Sequence, residues 1–274
     1  MERVAQDLFA GSVGGAVGCL AGHPLDTVKV RMQSTSNPNL SMMSCISSTV
    51  KAEGVGGLFK GLLPPLLSIG MYQAVCFASF EPALQALTGA PAEEASLQDL
   101  FWAGTASGAA TVVVTTPFDL LKIQLQLQTK GPVGVEGMRR AAGAIWARSG
   151  ARGFSRGACA TLMRDTWSTG LYFGVYHHCK RTLPLTGTPK ELTAGGIAGM
   201  VAWGSCLPFD VVKTRVQSAP PDMPTPKFLP TFMELYRARG LPALFAGATP
   251  MLSRAFVVNG LTFWAYEETM RAIR

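Results

Sequence analysis

Four stretches of the chain contain no Asp, Glu, Lys or Arg: residues 8–25, 61–80, 100–118 and 192–209. Each is 18 to 20 residues long, close to the roughly 20 mainly apolar residues that a helix needs to cross a bilayer. Two further apolar stretches, about 158–179 and 248–266, have similar length but are interrupted by Arg164, Asp165 and Arg254. Shorter amphipathic segments fall at about 41–52, 136–148 and 227–239. The pattern predicts six long helices and three short ones with one apolar face. If the three interrupting charges face inward, all six long helices span a membrane. The alternative is a water-soluble protein with six buried helices. Charge content favours lipid, because charged residues make up 15% of the chain against about 25% in an ordinary soluble domain.

The chain also repeats itself. PLDTVK occupies 24–29, PFDLLK 117–122 and PFDVVK 208–213, at intervals of 93 and 91 residues. Thirteen residues before each proline, an Ala-Gly pair opens an AGxxxG pattern through Gly11 and Gly15, Gly104 and Gly108, or Gly195 and Gly199. Small residues at that spacing allow close backbone approach in a membrane. Nine residues after each proline stands Gln33, Gln126 or Gln217. The second half of each repeat starts at a glycine, in LFKG ending at Gly61, FSRG at Gly157 and LFAG at Gly247. Every repeat therefore reads as span, short surface helix, span. Its boundaries fall at 1–90, 91–185 and 186–274 of a single domain.

PxDxxK three times in register, each with a Gln at the ninth position and a GLFKG-type partner, resembles the mitochondrial carrier family over essentially the whole chain. The resemblance implies an all-α membrane protein with six transmembrane helices in three tandem pseudo-threefold repeats, each with a short matrix-side surface helix. It implies a solute carrier of the mitochondrial inner membrane working by alternating access, with peroxisomal and plastid membranes as the other settings of such motifs. The implied partners are a small-molecule substrate and lipid. The lipid is cardiolipin, at the matrix-side helix starts near Gly61, Gly157 and Gly247, and the carrier is a monomer.

On its own, an acid–base pair three residues apart is a surface contact of about 0.2–0.5 kcal/mol. Here Asp26/Lys29, Asp119/Lys122 and Asp210/Lys213 each follow a proline at the end of an apolar span. Charges at membrane depth are costly unless paired or in a water-filled cavity. By resemblance the pairs run between helices, Asp26 with Lys122, Asp119 with Lys213 and Asp210 with Lys29, as a ring that closes the matrix side. Gln33, Gln126 and Gln217 then brace it, since an amide both donates and accepts. The aromatic-acid-x-x-base motif expected at the opposite end is incomplete. Phe80-Glu81 has Leu84 at the basic position, Tyr176-His177 has Lys180 but no acid, and Tyr266-Glu267 has Met270. Glu81, Lys180 and Glu267 are the remaining cytoplasmic gate residues, with Glu81 and Lys180 the one acid–base pair; snorkelling of Lys180 is the other reading. Three pairs against one predict a resting state open to the cytoplasm. Repeats two and three also lack the acid usual before the loop glycine (Ser149-Gly150, Arg239-Gly240), which implies looser surface helices there.

The family's substrate contacts lie seven residues beyond each starting glycine, at Ser68, Arg164 and Arg254, with Asp165 beside Arg164. These are the charges that interrupt the apolar runs, and an ionisable residue in mid-membrane is by default functional. A purely structural role in holding helices together is the alternative. Arg164 and Arg254 offer forked donors for a carboxylate or phosphate, and Asp165 an anion for an ammonium group, so a zwitterion fits better than a nucleotide. The segments 61–77 and 164–173 look most like the carnitine/acylcarnitine and amino-acid branch. No acid stands near Tyr72, which argues against basic amino acids, and Trp167 replaces the proline of related carriers. Both aromatics lie one turn from a contact position, where a cation over the ring gains about 0.5–2 kcal/mol; for Trp167, packing or a lipid-facing role is an equal reading. A nucleotide, cofactor or keto-acid carrier, or an uncoupling or adaptor protein of the same fold, are the alternatives.

The net charge of +7 is scattered along the chain, which suits anionic lipid or solutes rather than nucleic acid. The six cysteines have no CxxC spacing, so no metal site or cofactor is expected. His23, His177 and His178 are the only histidines and sit in no nucleophile–base arrangement, so the chain does not read as an enzyme.

Overall fold

The computed structural model describes residues 2–273 apart from 36–39, 90, 93, 130 and 220–223. It is 86% helical, with no strand among the described residues. In chain order the helices are α1 (Glu2–Ser34), α2 (Met42–Glu53), α3 (Leu63–Thr88), α4 (Leu97–Leu127), α5 (Gly134–Ser149), α6 (Ala158–Thr182), α7 (Thr188–Ser218), α8 (Phe228–Arg239), α9 (Leu241–Leu244) and α10 (Ala248–Ile273). Short 3-10 turns, Val55–Phe59 and Gly150–Ser155, lead from α2 towards α3 and from α5 towards α6.

The odd spans α1, α4 and α7 run through Pro24, Pro117 and Pro208. A proline removes one hydrogen bond, and here the flanking turns continue the helix past it. The charged and glutamine positions therefore stay on the helix rather than on a loop. On length and hydropathy alone, Val55–Thr88 and Thr193–Ser218 qualify as membrane spans. The other long helices, 25 to 33 residues each, are long enough to cross, but carry more Gly, Ser, Thr or charge. Leu67, Ile69, Met71 and Phe77 on α3 and Val113 on α4 are exposed; such apolar surface suits lipid rather than water.

The chain forms two compact units, one of Met1–Leu66, Leu121–Ala142 and Ala246–Arg274, the other of Leu67–Leu120 and Gly143–Phe245. In the first, α1 packs along α10. A Cβ on Gly14 would lie 2.8 Å from the Thr262 carbonyl oxygen, and a Cβ on Gly18 or Gly22 would come closer still, to the side chains of Thr262 and Val258 respectively. In the second, α4 meets α6 at Gly104 and Gly108; a Cβ there would come within 2.9 Å of the Thr169 oxygen and 2.5 Å of the Asp165 oxygen. The AGxxxG pattern thus marks close contact in repeat two only. Gly11, Gly15 and Gly199 face open space, and in α1 the glycines at 14, 18 and 22 take over, because the rotation of each helix decides which of its small residues meets a neighbour.

The glycines that open the even helices share one contact. Gly61, Gly157 and Gly247 have φ of 75°, 80° and 79°, the left-handed region where a side chain is strained. Gly61 abuts Lys122 and Gln126, Gly157 abuts Gln217, and Gly247 abuts Lys29 and Gln33. The second half of each repeat therefore docks on the PxDxxK turn of the next one, in the cycle one to two, two to three, three to one.

Candidate functional site

In the first unit, Asp26 is the centre of a charge cluster. Its Oδ2 lies 2.8 Å from Lys122 Nζ and its Oδ1 2.7 Å from Arg254 Nε. The Lys122 contact is an aligned hydrogen bond. The Arg254 contact is a charge contact without that alignment. All three side chains are 15–18% exposed. Lys29, one turn from Asp26, adds a further positive charge within electrostatic range.

A second cluster on this unit joins four elements. Arg31 donates from both terminal nitrogens to Glu53, at 2.6 and 3.0 Å, and also to Thr49 Oγ1. Its Nε donates to the Gln126 carbonyl at 3.0 Å. Lys60 Nζ donates to Glu53 at 2.6 Å and to the carbonyls of Gln128 and Thr129. Burial opposes the charge of Glu53, but the bonds from Arg31 and Lys60 outweigh it and hold its carboxyl below the usual range. The absence of an acid at Ser149 and Arg239 pointed to this position indirectly. Its contacts with the end of α4 left no mark in the residue pattern.

In the second unit, Lys213 Nζ lies 2.5 Å from Asp119 Oδ2. Arg164 NH1 donates to Asp165 Oδ1 at 2.6 Å, and its Nε lies 3.4 Å from Asp210 Oδ1. Thr115 on α4 donates to the other Asp165 oxygen at 2.9 Å. Asp165 is 2% exposed, so its carboxylate is enclosed with both oxygens engaged. The close approach of α6 to Gly108 is what turns it towards α4. The sequence pattern did not single out Thr115, since threonines before a membrane-depth proline carry no particular signal. Tyr72 interacts with Thr169 and lies within electrostatic range of Asp165 and Arg164. Trp167 donates to Ser205 Oγ at 3.3 Å and packs edge-on against Phe101 at 6.2 Å. Ser68 is part-exposed.

Lys122–Asp26 and Lys213–Asp119 are two of the three pairs that the resemblance names. Lys29 and Asp210 belong to different units. The three glutamines are buried to 1% or less and donate to neighbouring repeats. Gln33 donates to the Ala246 carbonyl at 3.2 Å, Gln126 to Thr27 Oγ1 at 3.2 Å, and Gln217 to the Arg156 carbonyl and Thr161 Oγ1 at 3.5 Å. These bonds pin the end of each odd helix beside the glycine junctions described above.

At the other end of the helices, Lys180 has a different neighbour from the expected Glu81. Lys180 Nζ approaches Glu191 at 3.9 Å, with both side chains at least 40% exposed. Glu81 is exposed, and among the described residues no ion pair includes it. The side chain of Glu267 lies outside the described residues. Leu84, at the position of the missing base, is 1% exposed in a cluster with Phe80, Cys76, Leu100 and Phe173. It is a core residue, because the face of α3 that bears it packs into the unit.

Long apolar helices joined, among the described residues, by deep charge pairs such as Lys122–Asp26, Lys213–Asp119 and Arg254–Asp26 fit a multi-pass membrane carrier rather than a soluble bundle. The family model described as "Mitochondrial carrier protein" matches residues 2–90, 93–187 and 185–274, and the chain belongs to that family. It is a solute carrier of the mitochondrial inner membrane. Its relatives include the mouse mitochondrial carnitine/acylcarnitine carrier protein, 35% identical over 97% of this chain and 93% of that protein. The human mitochondrial basic amino acids transporter is 39% identical over 95% of this chain and 88% of the relative. The mouse solute carrier family 25 member 45 is 34% identical over 98% and 99%.

Proposed function

We propose that the chain moves a small carboxylate-bearing zwitterion, of the carnitine/acylcarnitine or amino-acid kind, by alternating access. The observation that carries this reading is the placement of Arg164 and Arg254 in otherwise apolar spans, at the positions where the family binds substrate. Arginine at such a depth suits a carboxylate, which accepts two parallel hydrogen bonds from its fork. Ser68, Tyr72 and Trp167 line the same reading as contacts one turn from, or equivalent to, the arginine positions. Asp165 contributes differently from a free ammonium-binding acid. Enclosed between Arg164 and Thr115, it orients the guanidinium, and the cationic end of the substrate is left to the aromatic faces.

The names of the relatives support a substrate of this class, since carnitine, acylcarnitine and amino acids all bear a carboxylate. The absence of an acid near Tyr72 weighs against a basic amino acid. Asp26, Lys29, Asp119, Lys122, Asp210 and Lys213 form the matrix gate, with Gln33, Gln126 and Gln217 as its struts. Glu81, Lys180 and Glu267 form a weaker cytoplasmic one, so the resting carrier faces the cytoplasm. The chain is not an enzyme and acts as a monomer, with cardiolipin held at the starts of the even helices near Gly61, Gly157 and Gly247. Uptake of radiolabelled carnitine and of neutral amino acids into proteoliposomes tests the reading. Arg254→Ala and Arg164→Ala should each lower uptake by at least about a hundredfold, the effect of losing a buried charge-assisted contact worth about 3 kcal/mol. Near-normal uptake in both variants refutes the site; nucleotide uptake in place of zwitterions refutes the substrate class.

A further inference from the structure

Asp26 carries two loads. Its Oδ2 takes Lys122, the partner that closes the gate, and its Oδ1 takes Arg254, the substrate arginine, at nearly equal distances of 2.8 and 2.7 Å. We infer that Arg254 is itself a gate residue: in the resting carrier it is the second cation on Asp26, and a substrate carboxylate engages it by taking it from that acid. The inference rests on the gate and substrate assignments proposed above and joins them through one shared carboxylate.

The geometry that holds Arg254 to α1 is specific. Gly22 lies one turn before Asp26, and a Cβ there would meet Arg254 Nε at 3.2 Å and Cγ at 3.3 Å. The missing side chain thus lets the arginine stem cross α1 and lie against it. The three side chains sit on α1, α4 and α10, so Asp26 joins three helices through one carboxylate. Two cations flank that single acid, and Lys29 adds a third within range. An arriving carboxylate is therefore drawn to a locally positive place. When it engages Arg254, Asp26 loses one of its two ties, the one from α1 to α10, and keeps only the Lys122 bond to α4. Binding energy at the substrate arginine is spent on loosening the gate, which is the differential contact that a ligand-driven change of state requires. The second repeat has a parallel, since Arg164 reaches the ring acid Asp210 at 3.4 Å. The first repeat has Ser68 at the same position and no charge with which to do so.

The test needs no substrate. Ser68→Cys is labelled from the matrix side in a background where Cys19 and Cys159 are replaced by serine; the other four cysteines are buried. Lys122→Gln, which removes only the ring partner, is the reference and should raise matrix-side labelling about five- to tenfold, as expected for loss of one partly buried pair. Arg254→Gln should raise it by a comparable factor, and Arg254→Lys, which keeps the charge, by less. A merely substrate-binding arginine has no effect on the empty carrier. Labelling of Arg254→Gln at the parent rate therefore overturns the inference, and an unchanged rate in Lys122→Gln overturns the gate assignment with it. Carnitine uptake is measured with the unsubstituted carrier, which keeps Ser68, in matching vesicles. If that carrier takes up none while Arg254→Gln labels faster, the proposed substrate class fails and the shared carboxylate stands.

Discussion

Replacing Glu53 by glutamine removes the charge on which the matrix-side junction of the first repeat depends. The wild-type carboxylate is 4% exposed and accepts two bonds from Arg31 and one from Lys60. Breaking a buried ion pair by removing one partner costs about 3–5 kcal/mol. Both cations keep other acceptors, Arg31 the Gln126 carbonyl and Thr49, and Lys60 the carbonyls of Gln128 and Thr129. Glutamine also retains one acceptor oxygen. The expected loss is therefore about 2–3 kcal/mol, below the full range. For a chain of this size that is a fall in Tm of roughly 4–12 °C, read by thermal unfolding of purified carrier with a thiol-reactive dye. The pH dependence follows from the sign of the shift. The folded carboxyl titrates below its unfolded value, so its contribution is complete above about pH 4.5 and is lost as pH falls through the lower folded value. Wild type and Glu53→Gln should thus differ most at neutral pH and converge in acid. A Tm difference within 1 °C at neutral pH, or one that grows on acidification, contradicts the account of this junction.

Two further substitutions test the packing. Gly108→Val should destabilise the carrier by about 1–3 kcal/mol, because its Cβ would meet the Asp165 backbone oxygen at 2.5 Å and backbone cannot move aside. Gly199→Ala, with nothing within 4 Å, is the neutral control, and equal Tm values for the two would show that α4 and α6 are not in that contact. Leu84→Lys, which restores the motif of a complete cytoplasmic gate, should lower Tm and folded yield rather than strengthen closure. It buries an unpaired charge in an apolar cluster at a cost of about 4 kcal/mol, and a fully stable Leu84→Lys carrier would return that position to the gate.

Much of the carrier is legible in the residue order alone. Uncharged runs mark where helices cross, because the bilayer demands continuous apolar length. The threefold PxDxxK register places three acids and three bases at equivalent helix ends, and Arg164, Asp165 and Arg254 stand out because no other Asp, Glu, Lys or Arg interrupts their apolar runs. These are properties of single helices, and a periodic sequence carries them directly. Which groups meet across helices is a different kind of information. Thr115 on Asp165, Arg254 on Asp26, Gln33 on the Ala246 carbonyl and Lys60 on the end of α4 join residues from 50 to 228 positions apart, in register terms set by helix rotation and approach. The glycines of α1 show the same limit: an AGxxxG pattern is present at Gly11, yet contact falls on Gly14, Gly18 and Gly22. Leu84 is the clearest case. Motif register assigns it to a gate, and packing assigns it to the core, because only the tertiary structure decides which face of a helix is turned inward.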